Sequence, residues 1–549
     1  MNFQNQLKHL VNSIPKDVIT YQTSFYVVAL EGWRRGLKLK FYNNRRGGST
    51  PSTAITYSLS DGENEYHFVC ARGTKTTKEA ISKAENKSTA YEYMKANGVP
   101  VPETKTFKYS ETSIEEMCDY AESIGYPVVV KPPNYGGGKG VITNIVSREK
   151  LQNSLLEVEK ELGVKRIIIE KYFEGGYDYR FYVMGDEVLA VTINYPSNVL
   201  GDGQKNIKEL IEERNIEIKN NVATKNRFIT IDAEMKNHLK ENNLSLESIP
   251  AKDERIFLRK HGTHLGTRLN TACTDSIDPK FKQYAVDALN SIPGLPTGSI
   301  DMIINEEKNE GIVNEINTKG EIMMHVIPLE GQAVDIPKYL MDYYFPGSRK
   351  INDHFYFEYK PVKELFLNGH ADEITIPRYP HEDQYETTFN LKGKRLGPLY
   401  LKKLKRKAAS LYLKGQIKSI SREQVEIFLV GNKEKLKIFE DYIYNSETEK
   451  SKIHEVSSTD ATKFENTISV EIEIMDNFSP KTRKQKTKSK DKNDKFNSKA
   501  YKERLLKKIE DQGKEIVDLT REIEDIRSSK SWRLTRPLRK INRKINRKK

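Results

Sequence analysis

Cysteine is scarce in this chain. Its 549 residues hold three, Cys70, Cys118 and Cys273, too few and too scattered for a disulfide framework or a thiolate metal site. No stretch approaches the roughly 20 apolar residues that cross a bilayer, which excludes a membrane-spanning helix. The segment from Met1 onward has no basic stretch followed by a long apolar one, so no export signal is read and a cytoplasmic location is expected. Acid, too, is missing from one region: Lys530 to Lys549 holds ten basic residues and no Asp or Glu. Residues 481–549 carry 26 Lys+Arg against 10 Asp+Glu, a net of +16, which leaves residues 1–480 at −2. Basicity therefore belongs to the tail and not to the body of the protein.

The body carries an ordered series of groups suited to a triphosphate. Val128-Val-Val-Lys131 reads as a buried strand that ends by delivering an ammonium. Gly136-Gly137-Gly138-Lys-Gly140 follows as a loop whose N–H groups can wrap phosphate oxygens. Arg166-Ile-Ile-Ile-Glu170-Lys171-Tyr-Phe173 is a second β-branched run, ending in a carboxylate and a flat apolar surface. Thr297-Gly-Ser-Ile-Asp301 places an acid in an apolar strand, where it has little reason to sit unless it meets a cation. Gly311-Ile-Val-Asn-Glu315-Ile-Asn317 alternates, so Glu315 and Asn317 project from one face as two oxygen ligands for Mg²⁺. Taken singly, each of these is equally well a solvated strand end or a glycine hairpin.

The order of these pieces, with Lys87-Ser-Thr-Ala, Glu174-Gly-Gly-Tyr-Asp178-Tyr-Arg180, Leu200-Gly-Asp-Gly203, Phe257-Leu-Arg259 and His325-Val-Ile-Pro-Leu-Glu-Gly331, resembles the ATP-grasp ligases. The likeness is greatest to the branch containing cyanophycin synthetase, the bifunctional glutathione synthetase and D-alanine–D-alanine ligase, and runs from about Lys87 to Pro346. It implies that Lys87 and Lys131 hold ATP phosphates and that Gly136, Gly137, Gly138 and Gly140 form a lid. It further implies that Glu170, Lys171 and Phe173 contact adenine and Asp178 the ribose, and that Asp301, Glu315 and Asn317 bind Mg²⁺ or Mn²⁺. The implied chemistry is phosphorylation of a carboxylate by ATP, followed by displacement of phosphate by an amine.

On the substrate side the chain departs from its relatives. Asn194 stands where cyanophycin synthetase-like chains have arginine, and Ser299 where D-alanine ligases do. Arg259 and Arg268 remain as candidates to neutralise an acyl-phosphate oxyanion, because a guanidinium offers a fixed fork of donors. A salt bridge is an equally good reading of either.

The rest reads as modules. Residues 1–86 form a small α/β preface, with a helix from Thr20 ended by Gly36 and a strand at Leu37 to Tyr42. Arg34 and Arg35 at that helix end would meet either an acidic substrate or solvent. Residues 87–346 are the ATP-grasp region. Within 350–478 the order strand (386–396), helix (399–413), strands (415–419 and 424–430), helix (433–444) and strand (467–475) resembles acylphosphatase, a ferredoxin-like sandwich. The resemblance puts the family's phosphate-binding arginine on Leu401 and its water-positioning asparagine on Ser419, which implies a degenerate domain. Residues 479–500 are a basic linker of low apolar content.

Within 501–549, Leu505, Ile509, Gln512, Ile516, Leu519, Ile523 and Ile526 make one apolar seam, suited to a short coiled coil and a homodimer or to packing on the chain's own domain. The final basic stretch, with Trp532 and Leu534 interleaved, suits an anionic membrane surface and resembles tails of proteins of surface-polysaccharide assembly. No nucleic-acid-binding fold accompanies it.

The fold class expected is thus α/β and α+β multidomain. The function expected is a Mg-ATP-dependent carboxylate–amine ligase acting on small-molecule or polymeric substrates, with a cell-envelope component among them. An ATP-binding scaffold is the alternative from a non-enzymatic class, and acylphosphatase hydrolysis is disfavoured by Leu401 and Ser419.

Overall fold

The computed structural model describes residues 6–18, 20–44, 54–133, 135, 139–225, 227–260, 268–448 and 451–476. Gly136, Gly137 and Gly138, the side chain of Arg268, the basic linker, the coiled coil and the tail lie outside the described residues. The chain divides into two compact units: Met1–Tyr385 with Val430–Asn432 and Thr462–Glu471, and Glu386–Leu429 with Lys433–Ala461 and Ile472 onward.

The first unit opens with the helix Thr20–Arg34, which Gly36 follows at φ +79°, and a sheet of β1 (Lys38–Asn43), β2 (Ile55–Ser60), β3 (Glu65–Val69) and β4 (Arg72–Gly73). Beyond the boundary near residue 350 read from the sequence, the chain stays in this unit. Glu373–Thr375 pairs with β1 as a fifth strand, and Trp33 Nε1 donates to Pro377 O at 2.7 Å. Phe355, Phe357, Tyr359 and Tyr379 complete an aromatic core with Phe25, Tyr26, Trp33 and Phe41.

Arg34 and Arg35 meet neither substrate nor solvent. Arg34 is fully buried and donates to the carbonyls of His9 (2.8 Å), Asp353 (2.9 Å) and Phe355 (3.0 Å) and to Ser13 Oγ (2.9 Å). Arg35 is held by Glu31 at 2.8 Å and Asp342 at 2.7 Å. A helix end that looks cationic in sequence is here the bracket that ties residues 342–355 to the helix.

A four-stranded sheet follows, built from β5 (Thr104–Lys108), β6 (Val128–Lys131), β7 (Ile142–Ile145) and β8 (Arg166–Lys171) in the order β5-β8-β6-β7. Its β-branched runs pack against the helices Ile114–Ile124 and Arg148–Leu162. The central sheet takes β9 (Tyr177–Met184) and β10 (Glu187–Pro196); after the small pair β11 (Asn198–Leu200) and β12 (Arg255–Phe257), it adds β13 (Arg268–Ala272), β14 (Thr297–Asn305) and β15 (Glu310–Asn317). Its order is β13-β10-β9-β14-β15, antiparallel throughout. One face is apolar: Tyr179, Phe181, Val183, Val191, Ile193, Ile300, Met302 and Ile304 pack on the helices Lys87–Ala96 and Pro279–Asn290. Period-two alternation then sends their neighbours to the opposite face.

The second unit orders its strands as Lys452–Ser458, Tyr385–Lys394, Gln424–Gly431, Lys414–Ser419 and Ile472–Asp476, with helices Pro398–Ser410 and Lys433–Tyr444. The single last strand expected at 467–475 is divided. Ile472–Asp476 runs parallel to Lys414–Ser419, while Ile468–Ser469 pairs with Phe355–Tyr356 in the first unit. Lys452–Ser458 has no counterpart in the sequence reading, because it is an outer strand with only Ile453 and Val456 half-buried and shows little apolar alternation.

Replacing Arg34 with Met keeps its length but strips the donors from three carbonyls, one buried and two part-buried. Arg34→Met should lower unfolding free energy by on the order of 3 kcal/mol. Urea denaturation reads this, and a change below about 0.5 kcal/mol, the scatter of neutral surface changes, would contradict the bracket role.

Candidate active site

The polar face of the central sheet is laid out by strand register. Arg180 on β9 lies opposite Thr192 on β10 and Asp301 on β14, and Asp301 lies opposite Glu315 on β15. One residue pair away, Asp178 faces Asn194, and Asn194 faces Asn270 on β13. In the other direction Tyr182 faces Ser299, which faces Asn317.

Between β14 and β15 the ladder slips: Asp301 pairs with Glu315, but Met302 pairs with Val313. Asn314 is the extra residue of a β-bulge. Bulges re-aim side chains and recur beside active sites. Asn314 Oδ1 here accepts from Lys131 Nζ at 2.9 Å, while Glu315 Oε1 accepts from Lys87 Nζ at 2.8 Å. Lys131 also meets Glu170 Oε2 at 2.8 Å and donates to Tyr91 OH at 2.8 Å, and Tyr91 OH donates to Asn314 O at 2.8 Å. Lys87, Lys131, Glu170 and Glu315 therefore form one alternating cluster joining β6 and β8 to the central sheet. Burial pulls the Lys131 ammonium below the usual lysine range, against the opposing pull of Glu170.

Asp301 is engaged through both oxygens by Arg180, Nε at 2.6 Å and Nη2 at 2.7 Å. Burial works to lower the Arg180 pKa, but Asp301 outweighs it and the guanidinium is held firmly charged. Among the described residues no three His, Cys, Asp or Glu side chains gather as a metal site. Two carboxylates and an amide oxygen are nevertheless what Mg²⁺ needs when waters and phosphates supply the rest of its octahedron. Asp301 and Glu315, directly paired in register, fit that description; Asn317 lies two residues further along β15.

Other sequence candidates lie apart from this cluster. Lys171 Nζ is committed to the carbonyls of Gly125 (2.9 Å) and Tyr126 (3.1 Å). Phe173 packs so closely over Gly176 that a Cβ there would meet its ring at 3.1 Å and Ile303 at 2.6 Å. Arg259, 4% exposed, is paired with Asp232 and Glu234 and donates to Thr230 O at 3.3 Å. The backbone of Arg268 pairs with Pro196 at the end of β13.

Three members were not singled out from sequence: Tyr91, Arg180 and Asn314. Tyr91 reads as an apolar position of a helix, and Asn314 as the core-facing member of an alternating strand. Only the bulge brings Asn314 to the polar side. Arg180 carried a signal in the spacing Asp178-Tyr-Arg180, which puts both side chains on one face.

His325, 1% exposed, has no hydrogen-bond partner at either ring nitrogen among the described residues. Burial, with Arg180 nearby, pushes its pKa down to about 3. An unfolded histidine takes its proton near pH ~6.5. Between those values the unfolded chain binds more protons than the folded one, so stability must fall as pH falls. Between pH 6 and 4.5 the wild type should lose up to about 1.4 kcal/mol more per pH unit than His325→Leu. Parallel urea melts check this, and equal slopes would refute the neutral buried imidazole.

Residues 86–209 match the family described as carbamoyl-phosphate synthase L chain, ATP binding domain, and residues 388–472 match acylphosphatase. The glutathione biosynthesis bifunctional protein GshAB of Clostridium perfringens is 27% identical over 357 residues, 63% of this chain and 43% of that protein. Cyanophycin synthetase of Synechocystis is 27% identical over 261 residues, 46% of this chain and 29% of that protein. The crystal structure of a bifunctional glutathione synthetase from Pasteurella multocida aligns with a TM-score of 0.42 at 25% identity, over 53% of this chain and 40% of that one. The chain thus spans less than half the length of the curated relatives it matches. In the second unit Leu401 is buried, and Ser419, the last residue of the strand Lys414–Ser419, donates through Oγ to Ser421 O at 3.0 Å. The chain carries an ATP-grasp domain, similar to those of GshAB and cyanophycin synthetase, and an acylphosphatase-like domain.

Proposed function

We propose that this protein is a Mg-ATP-dependent carboxylate–amine ligase that works through an acyl phosphate, with a cell-envelope or capsule component among its substrates. The observation that carries the chemistry is the Lys87–Glu315, Lys131–Glu170 cluster set beside the Asp301–Glu315 pair. It offers two ammonium groups to phosphate oxygens and two carboxylates to a hard cation. The envelope assignment is supported only by the likeness of the tail.

Lys87 and Lys131 hold phosphates of the ATP. Gly136, Gly137, Gly138 and Gly140 take the lid role that the resemblance implies. Glu170, Lys171 and Phe173 border the adenine and Asp178 the ribose. Asp301, Glu315 and Asn317 would hold Mg²⁺ or Mn²⁺, which when bound neutralises charge on the phosphates. A substrate carboxylate oxygen attacks the γ-phosphorus and the bond to the β-phosphate oxygen breaks, releasing ADP. The amine lone pair then attacks the acyl carbon, the C–O bond to phosphate breaks, and the amine gives up a proton. Arg268 is proposed to neutralise the oxyanion between those events, whereas Arg259, buried and paired with Asp232 and Glu234, takes the salt-bridge reading. No nucleophile from the protein is needed, so rate enhancement comes from position and charge.

Acylphosphatase hydrolysis does not suit the second unit, since Leu401, at the position that the resemblance assigns to the phosphate-binding arginine, is buried and cannot bind a phosphate. Lys403 is committed to Ser446 O at 2.7 Å.

Release of ADP and phosphate from Mg-ATP, assayed across amino acids, dipeptides, glutamyl polymers and uronic acids with and without amines, should require one carboxylate and one amine. Lys131→Ala and Glu315→Ala should each cut that turnover by at least ~100-fold. Turnover that survives Glu315→Ala would sink the metal assignment, and ATP binding without turnover under any pair would favour a scaffold.

A further inference from the structure

Three elements of the substrate face form a polar relay whose direction is fixed by chemistry. Val191 and Ile193 point into the core, so Thr192 and Asn194 project from the polar face of β10. Asn270, opposite Asn194 on β13 and 2% exposed, donates through Nδ2 to Asn194 Oδ1. Its own Oδ1 accepts from Arg227 Nη1 at 3.1 Å. An amide can be turned either way, but a guanidinium has donors and no acceptor. Arg227 therefore obliges Asn270 to present its oxygen on one side and its NH₂ on the other. Asn194 must receive that NH₂ with its oxygen. What remains is the NH₂ of Asn194, which has no hydrogen-bond partner among the described residues. Two residues along the same face, Thr192 Oγ1 is buried and likewise without a partner. Thr192 lies opposite Arg180, and Arg180 holds Asp301. The unspent donor thus sits about 7 Å along the strand from the row that carries the charge cluster.

We propose that Asn194 Nδ2 is a specificity-determining donor for an oxygen acceptor on the substrate, a carboxylate or carbonyl, and that Arg227 is a positioning residue that sets its polarity through Asn270. This rests on the ligase reading and narrows it: the group recognised here is an acceptor-bearing, acidic end of the substrate and not an ammonium.

Two five-carbon probes with opposite ends separate the possibilities. Glutarate offers oxygen acceptors and cadaverine offers ammonium donors. Calorimetric titration of each into the full-length protein saturated with Mg-ADP should show glutarate binding and no cadaverine binding. Asn194→Asp is nearly isosteric but replaces the NH₂ donor with an acceptor. It should weaken glutarate at least ~10-fold and bring cadaverine binding in. Arg227→Gln, whose amide can face either way, should weaken glutarate about 3-fold or more, and Arg227→Lys, again a pure donor, should restore most of it. The dissociation constant for Mg-ADP should be the same in all variants, which also reports that each is folded. Glutarate binding indifferent to Asn194→Asp, absent in the Mg-ADP-bound wild type, or equal in Arg227→Gln and Arg227→Lys would overturn the proposal alone. Failure of the wild type to bind Mg-ADP would overturn the ligase reading, and this proposal with it.

Discussion

Everything at the candidate site depends on one extra residue in one strand. Without Asn314, β15 would alternate simply against β14, and the polar face would carry one carboxylate at that level. The bulge adds an amide beside it, and the two neighbours then engage different lysines, Asn314 with Lys131 and Glu315 with Lys87. Those lysines come from β6 and from the helix Lys87–Ala96, so the bulge is where the four-stranded sheet, that helix and the central sheet are joined by charge. Tyr91 fixes the geometry by donating to Asn314 O while accepting from Lys131. Charges with so little solvent are costly unless paired, which is why each ammonium here faces an acid. A triphosphate would offer the same ammonium groups a stronger anion.

Much of this was legible in the sequence because strand periodicity is simple. Val128–Lys131, Arg166–Lys171, Thr297–Asn305 and Glu310–Asn317 are strands as read, and Asp301 and Glu315 turn out to be register partners. Local pattern and tertiary role diverge at three places. Asn314 looks core-facing under strict alternation, and a bulge leaves no mark in residue type. Arg34 and Arg35 look like a solvated helix end, because nothing local announces that residues 342–355 return to cover them. Lys452–Ser458 is mostly exposed, so it lacks the apolar rhythm that identifies a strand.

The two units contrast in what they retain. The ATP-grasp domain keeps its charged groups in a mutually satisfied cluster, whereas the acylphosphatase-like domain keeps the sandwich and fills its expected catalytic positions with Leu401 and Ser419. On the polar face at β10 and β13 the chain carries neutral amides, Asn194 and Asn270, oriented by Arg227, and on β14 the Ser299 hydroxyl has no partner among the described residues. The lysine cluster is thus built from direct ion pairs, and the polar face at β10 and β13 from polarity passed along hydrogen bonds.

We propose a triphosphate site at Lys87 and Lys131 whose affinity depends on a divalent cation at Asp301 and Glu315. Its most direct test is the dissociation constant of the non-hydrolysable analogue AMP-PNP, measured calorimetrically with Mg²⁺ and with EDTA, in wild type and Lys131→Met. Binding that needs Mg²⁺ and weakens at least ~10-fold in Lys131→Met is the predicted result, since a charge-assisted contact to phosphate is lost. Equal affinity with and without Mg²⁺, or between wild type and variant, would contradict it.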